Sequence, residues 1–176
     1  MPLIGTIAIT GSKQGNITQG ANTVESLGAN FLTKIGSASI TADVSLITAM
    51  SVQVTVPTSP QTGQASGAPV QMPSTFTKFA DKSSPLLWGA ITSSETLSIT
   101  INMYQNDNKG NTSNYYTIAF TGVVLVSGNL YKPDILLQAN SAYVDMETFG
   151  FTYAKATWTD NNASTSATFT AAGASS

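Results

Sequence analysis

Residues 74–97, STFTKFADKSSPLLWGAITSSETL, constrain the fold more than any other stretch of this chain. Phe76 and Phe79 punctuate Thr75, Thr77 and Lys78, residue types that favour extended backbone, so the segment opens as a strand. Asp81-Lys82-Ser83-Ser84 is a turn. Ser84 is a good helix N-cap, and Pro85 suits the first helical position, where its missing N–H would have no partner anyway. Leu86, Leu87, Ala90 and Ile91 recur at helical spacing, which predicts one short α-helix over about 85–92. Ser93-Ser94 ends it. From Leu97 a new strand alternates, with Leu97, Ile99, Ile101 and Met103 on one face.

The flanking chain reads as strands between turns. Leu3 to Ile9 alternates, and Gly11 to Asn16 is a turn cluster. Val24 to Leu27 reads as a short strand, Phe31-Leu32 and Ile35 sit in a glycine-interrupted region, and Ile40 to Ser45 reads as a strand. Met50, Val52, Val54 and Val56 alternate strictly, which predicts a strand over 50–56. Thr58 to Pro73 holds three prolines, two glycines and no charge, and is expected to form a long loop without regular structure. Thr58, Pro60, Val70, Met72 and Pro73 are its candidate contact residues. Val70 and Met72 are expected to dock on a partner, since exposed apolar loop residues need cover.

Beyond the strand at Leu97, Gln105 to Asn114 is turn chemistry throughout, and Tyr115 to Phe120 returns as the hairpin partner. Gly122 marks a bulge. Gly128 to Asp134 reads as a turn, Ile135 to Ala139 as a short apolar segment, and Val144 to Trp158 as the longest strand. Phe149, Phe151 and Tyr153 share a face of it. Asn161 to Ser166 is polar, Ala167 to Thr170 adds an edge strand, and residues 171–176 form a flexible tail. The pattern predicts a mainly β fold: an antiparallel β-barrel or sandwich of two sheets with one short α-helix. Residues 1–170 form a single domain.

Composition excludes several functions. The chain has no His, Cys or Arg, so the usual general base, thiol nucleophile, zinc ligands and bidentate anion fork are missing. Asp145 and Glu147 share a strand face, and such a pair reads as a solvated surface before it reads as an acid–base couple. Asp107 to Asn111 has the composition of a calcium loop without its distal Glu, and reads as a hairpin turn. No catalytic residue, metal or cofactor is expected. Charged residues are 9% against the roughly 25% of an ordinary soluble protein, and the net charge is −2. That gives no reason to bind nucleic acid and little repulsion between copies. The N-terminus alternates like a strand and lacks a signal peptide's basic start, and no apolar run is long enough to span a membrane. Synthesis in the cytoplasm is the expectation, and any export would use something other than a cleaved signal.

Several of these stretches together resemble the Hcp family, the ring-forming inner-tube proteins of bacterial type VI secretion. They are Phe76-Thr77-Lys78, Asp81 to Pro85, the helix with Leu87 and Trp88, Tyr115-Tyr116-Thr117-Ile118 running into Val123 to Ser127, and Phe149-x-Phe151-x-Tyr153-x-Lys-x-x-Trp158. They cover about half the chain in the family's order. The resemblance implies an Hcp-like, phage tail-tube-like fold and a homohexameric ring. Rings would stack through the 58–73 loop into a tube, with small effectors in its lumen and sheath, baseplate and spike proteins as partners. It implies architecture at these motif positions, not catalysis. Trp88 is either core or subunit contact. The tube of another contractile system is the nearest alternative. A secreted β-sandwich adhesin or glycan-binding module is the alternative from a different class.

Overall fold

The computed structural model describes residues 5–28, 41–106, 112–134, 136–140 and 144–171. Their strands are β1 (Gly5–Gly11), β2 (Gly15–Asn16), β3 (Ser45–Ser51), β4 (Val54–Thr55), β5 (Val70–Gln71) and β6 (Ser74–Phe79). Then come β7 (Leu97–Asn106), β8 (Thr112–Tyr131), β9 (Met146–Thr152), β10 (Lys155–Asp160) and β11 (Thr165–Thr170). The helices are α1 (Val24–Leu27) and α2 (Ser84–Thr92). The fold is mainly β, as the turn-punctuated sequence predicts.

One antiparallel sheet runs β11-β10-β8-β7-β1-β3-β6-β9, with β2 on β1, and β4 and β5 form a separate small sheet. Because β8 also pairs with β9, the strands β8-β7-β1-β3-β6-β9 close into a barrel. Closure removes the strand edges that an open sheet would expose. β10 and β11 extend from β8 as a flap. The 20 residues of β8 serve both regions. Thr112 to Val123 pairs with β7, Tyr116 to Thr121 also holds β10, and Val124 to Tyr131 holds β9.

Alternation places the core. Ile7 and Ile9, Leu97, Ile99 and Ile101, Ile118 and Phe120, and Phe149 and Phe151 are all buried. Phe76 stands opposite Phe149 in the β6–β9 register, with ring centroids 5.5 Å apart. Phe120 meets Phe151 edge-on at 5.2 Å and Tyr153 at 4.9 Å. At Gly122 the β7–β8 register shifts, confirming the bulge. Its φ is +63°, and a Cβ there would stand 2.6 Å from that of Ala154, so a side chain is excluded twice over.

Helix α2 lies where the sequence places it, with a corrected start. Its N-cap is Ser83, and Ser84 is already helical, its Oγ accepting the Asp81 N–H at 3.0 Å. Leu87 and Ala90 are buried and Ile91 packs on the core, whereas Leu86, assigned to the same stripe, is exposed.

Other boundaries differ for identifiable reasons. Residues 24–27 are helical, because the Thr23 side chain accepts the Ser26 N–H and caps a turn. Residues 41–44 lie outside any strand, and β3 begins at Ser45. The 50–56 alternation spans two elements: β3 ends at Ser51, and Val54–Thr55 pairs with Val70–Gln71. Segment 58–73 is therefore not structureless. It folds back on itself, with a Thr58–Ala65 bridge and Ser66 N–H donating to the Pro57 carbonyl at 2.8 Å. Residues 128–131 continue β8 instead of turning, since Gly128 gives Trp88 and Ile91 room: a Cβ there would stand 2.9 Å from both. The strand expected over 144–158 is two strands. The Ala154 N–H donates to Thr121 O at 3.0 Å, turning the chain from the Val124–Tyr131 half of β8 to the Tyr116–Thr121 half. β8 is the longest strand, and β11 is the expected edge strand. The readings at Leu3, Phe31 to Ile35, Asp107 to Asn111 and Ile135, and those on the tail beyond Ala171, fall outside the described residues.

Candidate functional site

Three groups of side chains can carry function: a buried ionic cluster beneath α2, a loop-anchoring carboxylate, and the exposed apolar residues. In the β6–β9 register Lys78 stands opposite Glu147, on the same face as Phe76 and Phe149, so both ionic side chains point inward. The Lys78 side chain is fully buried. Its Nζ donates to Glu147 Oε2 (3.3 Å), Ser84 Oγ (3.0 Å) and the Phe79 carbonyl (2.8 Å), and forms an ion pair with Asp81 Oδ1 at 2.9 Å. Glu147 Oε1 accepts the Trp88 indole N–H at 3.0 Å. Asp81 Oδ1 also accepts the N–H and hydroxyl of Ser83, and Ser83 Oγ lies 3.0 Å from Ser45 Oγ on β3. These bonds tie the first turn of α2 to three barrel strands. Buried charges require such pairing.

The cluster corrects the reading of Asp145 and Glu147 as one solvated face. Asp145 precedes β9 and pairs at the surface with Lys132 at 3.0 Å, while Glu147 is 2% exposed. Every oxygen of Glu147 is engaged by Lys78 or Trp88, so the arrangement serves to fix α2. Trp88 is half-buried and stands edge-on to Phe149 at 5.6 Å. Among the other motif positions, Thr77 Oγ1 lies 2.9 Å from Thr148 Oγ1. Pro85 is exposed at the helix start, Leu87, Phe151 and Tyr153 are buried, and Tyr116 and Trp158 are half-buried against the core edge. Among the described residues no group of three or more His, Cys, Asp or Glu could hold a metal.

Sequence reasoning missed Glu95, which follows α2 and anchors the β1–β2 turn. Its carboxylate accepts the Lys13 and Gln14 backbone N–H groups at 2.6 and 2.9 Å and the Gln14 amide at 2.8 Å. The Gln14 backbone bond is the largest cause holding this carboxyl below its ordinary value of 4.5. The folded state thus favours the ionised form. The resulting stability is present above about pH 4.5 and is lost as pH falls through the lowered folded value. Glu95→Gln is expected to melt lower than the parent at pH 7, the gap closing below about pH 4.5; a series of thermal melts from pH 3 to 7 reads this.

The exposed apolar residues fall mainly in two groups. Val56, Val70 and Met72 are 44%, 49% and 43% exposed on the β4–β5 hairpin, where Thr58, Pro60 and Pro73 are exposed too. The second group spans the last residues of β8 and the segment after it: Leu130, Leu136 and Leu137 are 56%, 89% and 57% exposed. Reading 128–134 as a turn hid this second group, although the adjacent leucines of Leu136-Leu137 were the available signal. No helix among the described residues is long and apolar enough to cross a membrane.

A closed antiparallel barrel carrying one ion-locked helix and a charge-free hairpin defines a small β-barrel protein. Residues 37–159 match the family described as "Type VI secretion system effector, Hcp". The chain is 35% identical over 161 residues to the "Major exported protein" of Pseudomonas aeruginosa, covering 91% of this chain and 90% of that one. The crystal structure of an Hcp protein superposes with a TM-score of 0.87 at 28% identity, over 95% of this chain and 96% of the other. The secreted protein Hcp3 of Pseudomonas aeruginosa superposes at 0.75 and 29% identity, over 96% and 97%. The chain belongs to the Hcp family of type VI secretion.

Proposed function

We propose that this chain is the structural ring subunit of a type VI secretion inner tube. Six copies close head-to-tail around a lumen, and rings stack through the 58–73 segment. The tube carries small effectors, rests on a baseplate inside a contractile sheath, is tipped by a spike protein, and leaves the cytoplasm when the sheath contracts. The observation that carries this reading is the β4–β5 hairpin of a chain that belongs to the Hcp family: it is ordered by its own hydrogen bonds, free of charge, and presents Val56, Val70 and Met72 to solvent. Apolar side chains held out on a fixed hairpin are suited to contact with another copy. The role is structural, with Lys78 and Glu147 committed to each other inside the barrel.

Light scattering of the purified protein, followed by electron microscopy of the same peak, tests this. A heterologous contact that closes on rotation gives a ring of about 110 kDa, six times 18.3 kDa. A clean 18.3 kDa species at high concentration would overturn the reading. Val70→Asp with Met72→Asp is expected to leave rings intact and abolish their stacking, seen as single rings on the grid.

A further inference from the structure

We propose that the groove where the β10–β11 flap leaves β8 is a binding site for a neutral sugar ring, such as an exposed hexose of a glycan. The inference goes beyond the tube reading and does not depend on it.

Pair register builds the groove. Tyr116 on β8, Asp160 on β10 and Thr165 on β11 stand opposite one another and share one sheet face. Two residues inward on that face lie Ile118, Trp158 and Ala167, and two further in lie Phe120, Ala156 and Phe169. Phe120 and Ala156 are buried, Tyr116, Trp158 and Asp160 are half-buried, and Thr165 and Ala167 are exposed, so the face opens from core to solvent. Ala167 is too small to cover the indole opposite it. The resulting groove holds about 220 Å³. That is less than the roughly 300–1,000 Å³ of a drug-sized pocket and suits a single ring.

The polar groups around it are unspent. Asp160 Oδ1 accepts the Asn162 and Ala163 N–H groups, both at 2.9 Å, which fixes the carboxylate and leaves Oδ2 over. The Tyr116 hydroxyl, the Trp158 indole N–H and the Thr165 hydroxyl make no hydrogen bond among the described residues. Donors and acceptors therefore surround an aromatic floor. A sugar ring offers the complement: hydroxyls on its rim, and C–H groups on its face whose positive hydrogens suit the negative face of an aromatic ring. Among the described lining residues Asp160 is the sole charge, so an anion finds no counter-charge. A quaternary ammonium would leave the donors unmet and calls for an aromatic cage, whereas Tyr116 and Trp158 are diagonal neighbours on one face.

Saturation-transfer NMR of the purified protein tests this, with glucose, galactose and N-acetylglucosamine as probes and choline as the competing class. At least one sugar is expected to bind saturably, with a Kd on the order of 1 mM for so small a ligand. Asp160→Asn, which keeps the turn-capping oxygen, is expected to weaken binding about tenfold. Ala167→Phe fills the groove from an exposed position and is expected to block it without loss of Tm. Thr168→Ala, on the opposite face of β11, is expected to bind as the parent does. No saturable binding of any sugar by the parent overturns the proposal. So does sugar binding that survives Ala167→Phe unchanged, or choline binding in preference to every sugar.

Discussion

Lys78→Met is expected to lower stability by about 3–5 kcal/mol, because removing one member of a buried ionic cluster strands its partners. Asp81 and Glu147 would then face each other beneath α2 without the ammonium that lies 2.9 and 3.3 Å from their oxygens. For a chain of this length the loss corresponds to a fall in Tm on the order of 10 °C, read by thermal melting at one protein concentration. The size of the loss does not measure what the cluster contributes, since buried ion pairs often do little better than apolar replacements. The triple variant Lys78→Met, Asp81→Asn, Glu147→Gln separates the two, and is expected to recover more than half the loss. A Lys78→Met protein that melts with the parent would show that the carboxylates are not confined as described.

Phe149→Ala is expected to cost a similar 3–5 kcal/mol, for a different reason. Phe149 is fully buried and touches both Phe76 across the β6–β9 pair and Trp88 from the helix. Its removal leaves a void between sheet and helix that neither neighbour fills easily, as Trp88 is fixed by Glu147. Chemical unfolding should show a lower midpoint with an unchanged slope. Phe169→Ala gives the contrast: that ring is only partly buried on the edge strand β11, touching Tyr153, and is expected to cost less than half as much.

Much of the barrel was legible because its strands are short and alternate. Leu97 to Ile101 and Phe149 to Tyr153 declare their buried faces residue by residue, and α2 declares itself through Pro85 and the Leu87–Ala90 spacing. Three kinds of feature were not legible, each for a physical reason. Where one alternating run serves two sheets, as in residues 50–56, period alone does not show the change of partner. Where a strand continues through Gly128, the glycine looks like a turn, and its use as a gap for Trp88 and Ile91 exists only once the helix is in place. Glu147 looked like surface because two carboxylates two residues apart lie on one face; only the register that sets Lys78 opposite it reveals an inward charge. Closure of the barrel is non-local for the same reason, resting on a pairing between β8 and β9 that no local pattern states.

The length of β8 has a mechanical consequence. Its 20 residues, interrupted by the bulge at Gly122 and a register shift between Leu125 and Ser127, are zipped over one half to β7 and β10 and over the other to β9. A pull directed along this strand loads its ladder bonds in shear, all together, instead of peeling them apart one by one. The flap and the β9 side of the barrel share this single tie-rod, so an axial thrust on one is passed to the other through continuous covalent backbone.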